Sequence, residues 1–314
     1  MPAVSNRSRV FAVLDQAERS MRRLHEPVLR QIIPVLEKAQ REVRHNLTLW
    51  LRNQGADATF TAQRYRNALV VLNRALKTAE HLEPATAHAL KKSYGTVGPL
   101  AVQNLRHQWS VFQHIFEGTA QPLAIDEAVV IATGKSLLWP QFESSAERYA
   151  GSIGERTKLE LAVSRAQSET IDELTNRLQR NVFSGEQGSA FFTERWDAER
   201  LARTESMSAY SSTTEASLRD ALAEDPSLRK RWCSAVGDFR RCAMCASLEG
   251  QVVEINEPFH AVWTTFSKKR GMRTHSLDIE KSPAHACCVC GETIWRENWA
   301  KYSRRDQASE RAAA

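Results

Sequence analysis

The sequence predicts a mainly α-helical fold, with an elongated helical N-terminal region and a small α+β domain at the C-terminal end. Three observations support this fold class. Glycine and proline are few, at 13 and 10 of 314 residues. Apolar residues recur at helical spacing through most of the first 184 positions, and β-branched residues gather between Val252 and Ile255. A chain of this length and ordinary apolar content can form about two domains.

Apolar residues three and four positions apart predict the individual helices. The first helix is expected between Arg30 and Arg52, and the second follows with Thr59 as its cap. A third helical pattern runs from Pro84 to Gly118, with expected interruptions near Gly95 and Gly98. Its aromatic stripe is interpreted as core, in preference to a platform for stacked bases: Leu105, Trp109, Phe112 and Phe116.

The segment Glu127 to Ser136 contains the letters A-T-G-K-S, which are similar to part of a phosphate loop. A Walker loop needs a glycine five residues before Gly134, and Val129 stands there, so this site is excluded. A short strand or a turn is expected instead. Helical patterns return at Leu159 to Val182 and at Asp197 to Leu222.

Two glycines in the stretch from Ser184 to Ser189 predict a domain boundary. We therefore expect a helical partner-binding region at 1–184, a domain at 185–300 and a disordered polar tail at 301–314. The first residues contain no apolar stretch typical of a signal peptide, and no apolar run could span a bilayer. These observations favour synthesis in the cytoplasm, where thiols stay reduced, and no membrane partner.

Cysteine and histidine residues gather near the C-terminal end and indicate a metal site. Cys242 and Cys245 form a C-x-x-C pair, and His285, Cys288 and Cys290 form an H-x-x-C-x-C group. Two such groups can complete a tetrahedral zinc site, which would stabilise the C-terminal domain. The expected ligands are Cys242, Cys245, Cys288 and either His285 or Cys290. A reduced cluster without metal and a disulfide are the alternatives.

These residues also resemble a known family. An Asp, a C-x-x-C pair, a nearby Gly and a P-x-H-x-x-C-x-C group occur in the same order in the Mu F-type minor head proteins of tailed bacteriophages. The similarity covers about a third of the chain, a domain-sized span from near Phe191 to Trp299. The matching positions are Asp238, Cys242, Cys245, Gly250, Pro283, His285, Cys288 and Cys290, preceded by the letters L-A-R-T-E from Leu201.

Three positions depart from the family pattern. Arg241 stands where the family usually has Thr, Val289 stands where it usually has Arg, and Cys287 is an additional thiol. The resemblance implies a virion protein without enzymatic activity, associated with the portal protein and other head proteins inside the phage head. It further implies a role in head morphogenesis and in DNA packaging or ejection.

A second reading is a zinc-dependent protein that binds or hydrolyses nucleic acid. The formal net charge of +6 and the basic residues Lys268, Lys269, Arg270 and Arg273 favour contact with DNA. A solvated loop is the plain alternative for these residues. A nucleobase deaminase needs a His-x-Glu element before the C-x-x-C pair, and none precedes Cys242. His260 and His275 are nearby imidazoles that keep a nuclease open as a hypothesis.

Overall fold

A computed structural model describes residues 5–21, 23–78, 80–183, 194–233, 242–267, 271–284, 288 and 290–299. The helical elements are α1 (Asn6–Met21), α2 (Glu26–Arg52), α3 (Ala62–Thr78), α4 (Leu82–Glu117), α5 (Glu127–Ala166), α6 (Ile171–Leu178), a π-helical turn (Gln179–Phe183), α7 (Glu194–Leu222) and α8 (Ala243–Leu248). The strands are β1 (Leu228–Cys233), β2 (Val252–Glu254), β3 (Phe259–Ser267), β4 (Gly271–Ile279) and β5 (Gly291–Arg296).

The prediction of a mainly helical chain with a small α+β region is confirmed. All strand pairs are antiparallel, with β1 between β2 and β5 in one sheet and β3 paired with β4 in a separate ribbon. The β-branched run near Val252 forms β2, as expected. In the described ranges, no helix combines the length and the apolar character that a membrane span requires.

The chain forms two compact units that interleave along the sequence. Unit 1 contains Met1–Leu24, Tyr94–Leu138 and Arg203–Ala314, and unit 2 contains His25–Ser93 and Trp139–Ala202. Helices α4 and α5 therefore each contribute residues to both units. The expected boundary between 184 and 189 and the expected tail at 301–314 lie outside the described residues. The division into 1–184 and 185–300 stays a prediction.

Unit 2 has an apolar core formed by α2, α3, the end of α5 and α6, with Leu47, Phe60 and Leu72 fully buried. Helix α6 begins with a capping box, in which Thr170 accepts a hydrogen bond from the amide of Glu173 and the Glu173 carboxylate accepts one from the amide of Thr170. The expected cap of α3 is wrong by two residues. Thr61 accepts from the amide of Arg64 at 3.3 Å, whereas Thr59 bridges to Thr170 in strand-like pairing.

Helix α7 is buried on most of its circumference within unit 1. Two of its hydroxyls form hydrogen bonds inside the helix, since Thr213 donates to the carbonyl of Ala209 and Ser217 donates to that of Thr213. The aromatic stripe of α4 lies in the core of this unit, as expected. Phe112 meets Trp295 and Trp299 edge to face, with ring centroids 5.4 and 6.0 Å apart.

Two predictions based on glycine are wrong. The segment from Glu127 to Ser136 forms the first turns of α5. The helix can begin here because the Asp126 carboxylate accepts hydrogen bonds from the amides of Ala128 and Val129. Helix α4 continues through Gly95 and Gly98 without interruption. At Gly98 a Cβ atom would meet Cδ1 of Ile131 at 2.6 Å, so this glycine permits close packing of α4 against α5.

Candidate metal centre

The central strand β1 holds the first half of the site in place. The Trp232 amide donates to the carbonyl of Gln251 at 3.0 Å, and the Gly250 amide donates to the carbonyl of Trp232 at 3.1 Å. Gly250 has φ of +77°, a conformation that a residue with a Cβ rarely adopts. This turn directly follows α8, so the strand fixes the position of the short helix.

Helix α8 carries both cysteines of the C-x-x-C pair. Cys242 is its N-cap, and the Cys242 Sγ accepts a hydrogen bond from the amide of Cys245 at 3.3 Å. This hydrogen bond fixes the position of the Cys242 sulfur at the start of the helix. The Cys245 side chain lies one turn further along and is buried.

Three cysteines converge from two distant segments. The sulfur atoms of Cys245, Cys288 and Cys290 all lie within 4.8 Å of one another. The Sγ atoms of Cys245 and Cys288 are 3.7 Å apart although 42 residues separate them in the chain. Tetrahedral zinc with bonds of about 2.3 Å places its sulfur ligands about 3.8 Å apart. A disulfide needs about 2.05 Å, and none of the five described cysteines forms one.

The three thiols are part of a small apolar core. Their side chains pack with Trp232, Leu248 and Phe259. Hydrogen bonding to Cys288 and Cys290, together with burial, raises the pKa of the Cys245 thiol. Buried thiols keep their protons when no metal is bound. A bound cation would replace those protons and hold the sulfurs as thiolates.

The donor set therefore fits a soft divalent ion. Three buried sulfurs select zinc or a similar thiophilic metal over magnesium or calcium, which prefer oxygen. Cys245, Cys288 and Cys290 could hold such an ion, with one further ligand needed for a tetrahedron. In the described part of the chain, this is the only group of three or more His, Cys, Asp or Glu side chains close enough to share a metal.

The structure brings only some of the predicted ligands together. It brings Cys245 and Cys288 together with Cys290, one of the two alternatives for the fourth place. Cys242 lies at the start of α8 but outside this group of three. His285 and the additional thiol Cys287 lie outside the described residues. The ligand roles of Cys242 and His285 stay predictions. Cys233 is the last residue of β1 and lies outside this group.

A buried polar network next to the site was missed by the sequence analysis. One Glu292 oxygen accepts from the amide of Ser282 at 2.5 Å and from the Ser211 hydroxyl at 3.3 Å. Burial raises the pKa of Glu292 to about 7, although Ser282 and Lys230 act in the opposite direction. The Lys230 ammonium donates to the carbonyl of Glu280 at 2.6 Å and lies 5.0 Å from the centroid of the Phe259 ring.

Only the last of the four predicted basic residues is described. Arg273 is an exposed residue of β4, while Lys268, Lys269 and Arg270 lie outside the described ranges. A loop was the plain alternative for these residues, whereas Arg273 lies in a strand, and β3 and β4 were not predicted. The signal was present in the β-branched and aromatic residues between Phe259 and Phe266.

The two imidazoles near the site have other partners. Nδ1 of His260 is 2.6 Å from a carboxylate oxygen of Asp278. The His275 ring is stacked on Trp263, and its Nε2 is 2.8 Å from the Thr265 hydroxyl. Neither belongs to the group of three cysteines that could hold a metal.

Comparison of the chain with protein families, with curated proteins and with solved structures finds no match. The geometry of the cysteine group and the sequence pattern around it are therefore the basis for assigning a function.

Proposed function

We propose that this chain is a minor head protein of a tailed bacteriophage, similar to the Mu F-type proteins. It is made in the host cytoplasm, associates with the portal vertex during head assembly and stays inside the virion. There it acts in head morphogenesis and in DNA packaging or ejection. In this role the protein is a structural component and has no enzymatic activity.

The observation that carries this proposal is the convergence of Cys245 with Cys288 and Cys290. These residues belong to the two separate motifs on which the resemblance rests. A chance resemblance would not require the two motifs to meet in space. Because the two motifs meet in one buried group, residues that match the family are also the residues that can share an ion.

We propose zinc as that ion and a structural role for it. Bound zinc would supply a covalent-like cross-link between α8 and the segment before β5, closing an excursion of 42 residues. Metal binding to such sites contributes on the order of 10 kcal/mol in zinc-finger peptides. The core around the cysteines contains few large apolar side chains, so a contribution of this size decides whether it folds.

With Cys242 or His285 as the fourth ligand, the site disfavours the hydrolase alternative. A catalytic zinc keeps one position open for water, usually with histidine and carboxylate ligands, whereas sulfur-rich sites with four protein ligands are closed. His260 is bound to Asp278 and His275 is stacked on Trp263, away from the cysteine group. Cleavage of DNA that depends on zinc and is lost in His275→Ala would favour the hydrolase.

The helical region at 1–184 is the proposed docking surface for the portal and other head proteins. Large apolar side chains are exposed on three helices of unit 2, and we propose that they take part in this contact: Leu49, Val70 and Leu159. Replacing Leu49 and Val70 by Asp should reduce incorporation into heads while zinc content stays at the wild-type level. Normal incorporation of this variant would place docking elsewhere.

The decisive experiment uses particles assembled from the genome that encodes this chain. Mass spectrometry of purified heads should detect the full-length chain in a few copies, and cross-linking should join it to the portal protein. Elemental analysis of the isolated protein, purified without chelator, should find one zinc per chain. Heads that lack the chain entirely would overturn the head role, whatever the zinc content.

A further inference from the structure

The β3–β4 ribbon extends from a buried base to an exposed distal end. Phe259 at the start of β3 and Ile279 at the end of β4 are buried. Beyond Trp263 on β3, and before His275 on β4, every described residue of the ribbon is exposed. Nine residues per strand give a length of about 30 Å. Two strands alone are marginally stable in water, so a ribbon of this length needs support at its base or a partner.

The base of the ribbon is firmly held. The amide of Val262 donates to the Ser247 hydroxyl at 3.2 Å, and the amide of His260 donates to Oε1 of Gln251 at 3.2 Å. Gln251 in turn donates to the carbonyl of His260 at 2.8 Å. Because these side chains come from α8 and the turn after it, the ribbon is mounted next to the cysteine group.

The distal half carries apolar side chains that the fold does not use. Phe266 and Met272 are directly opposite each other on one face, and they are 74% and 76% exposed. The opposite face carries Arg273 and Thr265 as another direct pair. Thr264 and Thr274 are a third pair, and their hydroxyls lie 3.4 Å apart. Both faces of the ribbon thus offer hydrogen-bonding groups, and one adds an apolar pair.

The charge of this segment has a single sign. Between Phe259 and Leu277 the sequence contains four Lys or Arg residues and no Asp or Glu. The formal net charge of the whole chain is +6, so one short segment accounts for most of it. The acidic residues Asp278 and Glu280 begin only at the base of the ribbon. The partner that complements such a segment is a polyanion.

We propose that the β3–β4 ribbon binds double-stranded DNA without strong sequence preference by entering a groove. The major groove is about 12 Å wide and admits a two-stranded ribbon. Arg273 contacts phosphate oxygens, the threonine hydroxyls bind phosphates or base edges, and Phe266 with Met272 contacts the apolar edges of the bases. The groove walls contact both faces of a ribbon, which matches the hydroxyl groups on both faces and Arg273 on one of them.

An anionic bilayer fits this surface less well. Membrane insertion of the distal end would bury Thr264, Thr265 and Thr274 together with the apolar pair, and hydroxyl groups lose hydrogen bonds to water there. The proposal names a DNA contact that the head role does not require. It stands on the charge and exposure of the ribbon and can fail while the head role holds.

The test measures binding of the full-length, zinc-loaded chain to a fluorescent duplex of about 30 base pairs, between about 50 and about 200 mM salt. The logarithm of the association constant should fall with the logarithm of salt, with a slope near −0.9 for each phosphate neutralised. Arg273→Glu should weaken binding about tenfold and make the salt slope shallower by about 1. The exposed Arg74 of α3 supplies a matched control, because Arg74→Glu changes the net charge equally but should have little effect.

The apolar pair has its own variant. Phe266→Ala combined with Met272→Ala should weaken duplex binding about tenfold and leave the salt slope unchanged, since no phosphate contact is removed. Leu137→Ala on α5 is the control for removing an exposed apolar side chain. Circular dichroism and zinc content verify that each variant is folded.

Three outcomes would overturn the proposal. The first is the absence of salt-dependent duplex binding by the wild type, and the second is equal weakening by Arg273→Glu and Arg74→Glu. The third is binding to vesicles that contain anionic phosphatidylserine, lost in the Phe266 and Met272 variant while duplex binding is unchanged. Failure of the head proposal appears separately, as heads that lack the chain.

Discussion

The Tyr94 hydroxyl lies 3.1 Å from Oγ1 of Thr213, which links α4 to α7 inside unit 1. The tyrosine reaches this position by passing over Gly134 of α5. A Cβ atom at Gly134 would lie 1.9 Å from the Tyr94 hydroxyl oxygen. The glycine of the A-T-G-K-S segment therefore serves helix packing and has no part in a phosphate loop.

Gly134→Ala is expected to destabilise unit 1 by about 1–3 kcal/mol, the usual cost of inserting a methyl group into a packed core. Urea unfolding measures the change. Tyr94→Phe in the same chain should recover part of the loss, because it removes the atom in closest conflict. At Gly95 an added Cβ meets nothing within 4 Å, so Gly95→Ala should instead stabilise α4 by about 0.5–1 kcal/mol. Equal effects of the two alanines would contradict this assignment.

The fourth ligand of the proposed zinc is expected to be Cys242. Serine is a good helix N-cap but a poor ligand for zinc, so Cys242→Ser removes the ligand and preserves the cap of α8. We expect this variant to lose zinc and to unfold the core around Trp232, while the apolar core of unit 2 stays folded. Zinc content and near-ultraviolet circular dichroism report the two effects.

His285→Ala and Cys233→Ser are the comparisons for that experiment. Cys233, at the end of β1, is outside the cysteine group, so Cys233→Ser should keep its zinc. If His285→Ala loses zinc while Cys242→Ser retains it, histidine and not Cys242 completes the site. If no variant contains zinc and Cys242→Ser melts like the wild type, the metal assignment is wrong.

The ion pair between Glu169 and Arg177 should make the stability of unit 2 depend on pH. Arg177 donates to Glu169 through two nitrogens, one at 3.0 Å, and this hydrogen bonding lowers the pKa of Glu169. A carboxyl group with a lowered pKa stabilises the fold above its pKa in the unfolded chain, about 4.3. That stabilisation is lost as the pH falls through the lower pKa of the folded state.

Glu169→Gln should therefore cost about 1 kcal/mol at pH 7 and less at pH 3. Urea unfolding at the two pH values gives the difference. Glu155 pairs with Lys158 on an exposed part of α5, and Glu155→Gln should cost little at either pH. A cost for Glu169→Gln that does not change with pH would mean that the pair has no electrostatic role.

The aromatic stripe of α4 should behave as core. Phe112 is fully buried against Trp295 and Trp299, so Phe112→Ala is expected to cost about 3–5 kcal/mol. Val70 is 60% exposed, and Val70→Ala should be nearly neutral. Thermal unfolding distinguishes them. A small effect at Phe112 would reopen the interpretation of the stripe as a stacking surface.

Helical periodicity was enough to predict where most helices lie, because the buried stripes of α2 and α4 repeat at the spacing of a helix. Periodicity was not enough to predict that the helices continue through Gly98 and Gly134. Glycine lowers helix propensity locally, and only the neighbouring side chains of Ile131 and Tyr94 reveal why it is tolerated. Strand β1 was missed because its letters L-R-K-R-W-C read as polar, although Lys230 and Arg231 are buried.

The sequence predicted that Cys and His residues would form the candidate site, but it did not predict which of them would come together. Ligand spacing identified the segments that contain Cys245 and Cys288. Which sulfur atoms lie close to one another depends on the turn at Gly250 and on the path of the chain into β5. Local sequence determines neither the turn nor that path. The Glu292 network could not be anticipated, since its partners come from α7 and from the segment around Ser282.

The apolar core that contains Phe112 also joins Val10 and Leu14 of α1 to Trp295 and Trp299. Its contacts therefore span nearly the whole described sequence, which gives this region a high contact order and favours slow folding. During synthesis the apolar surfaces of α1 and of the aromatic face of α4 stay exposed until Trp299 has left the ribosome. Those segments are the natural targets for a chaperone that binds the nascent chain.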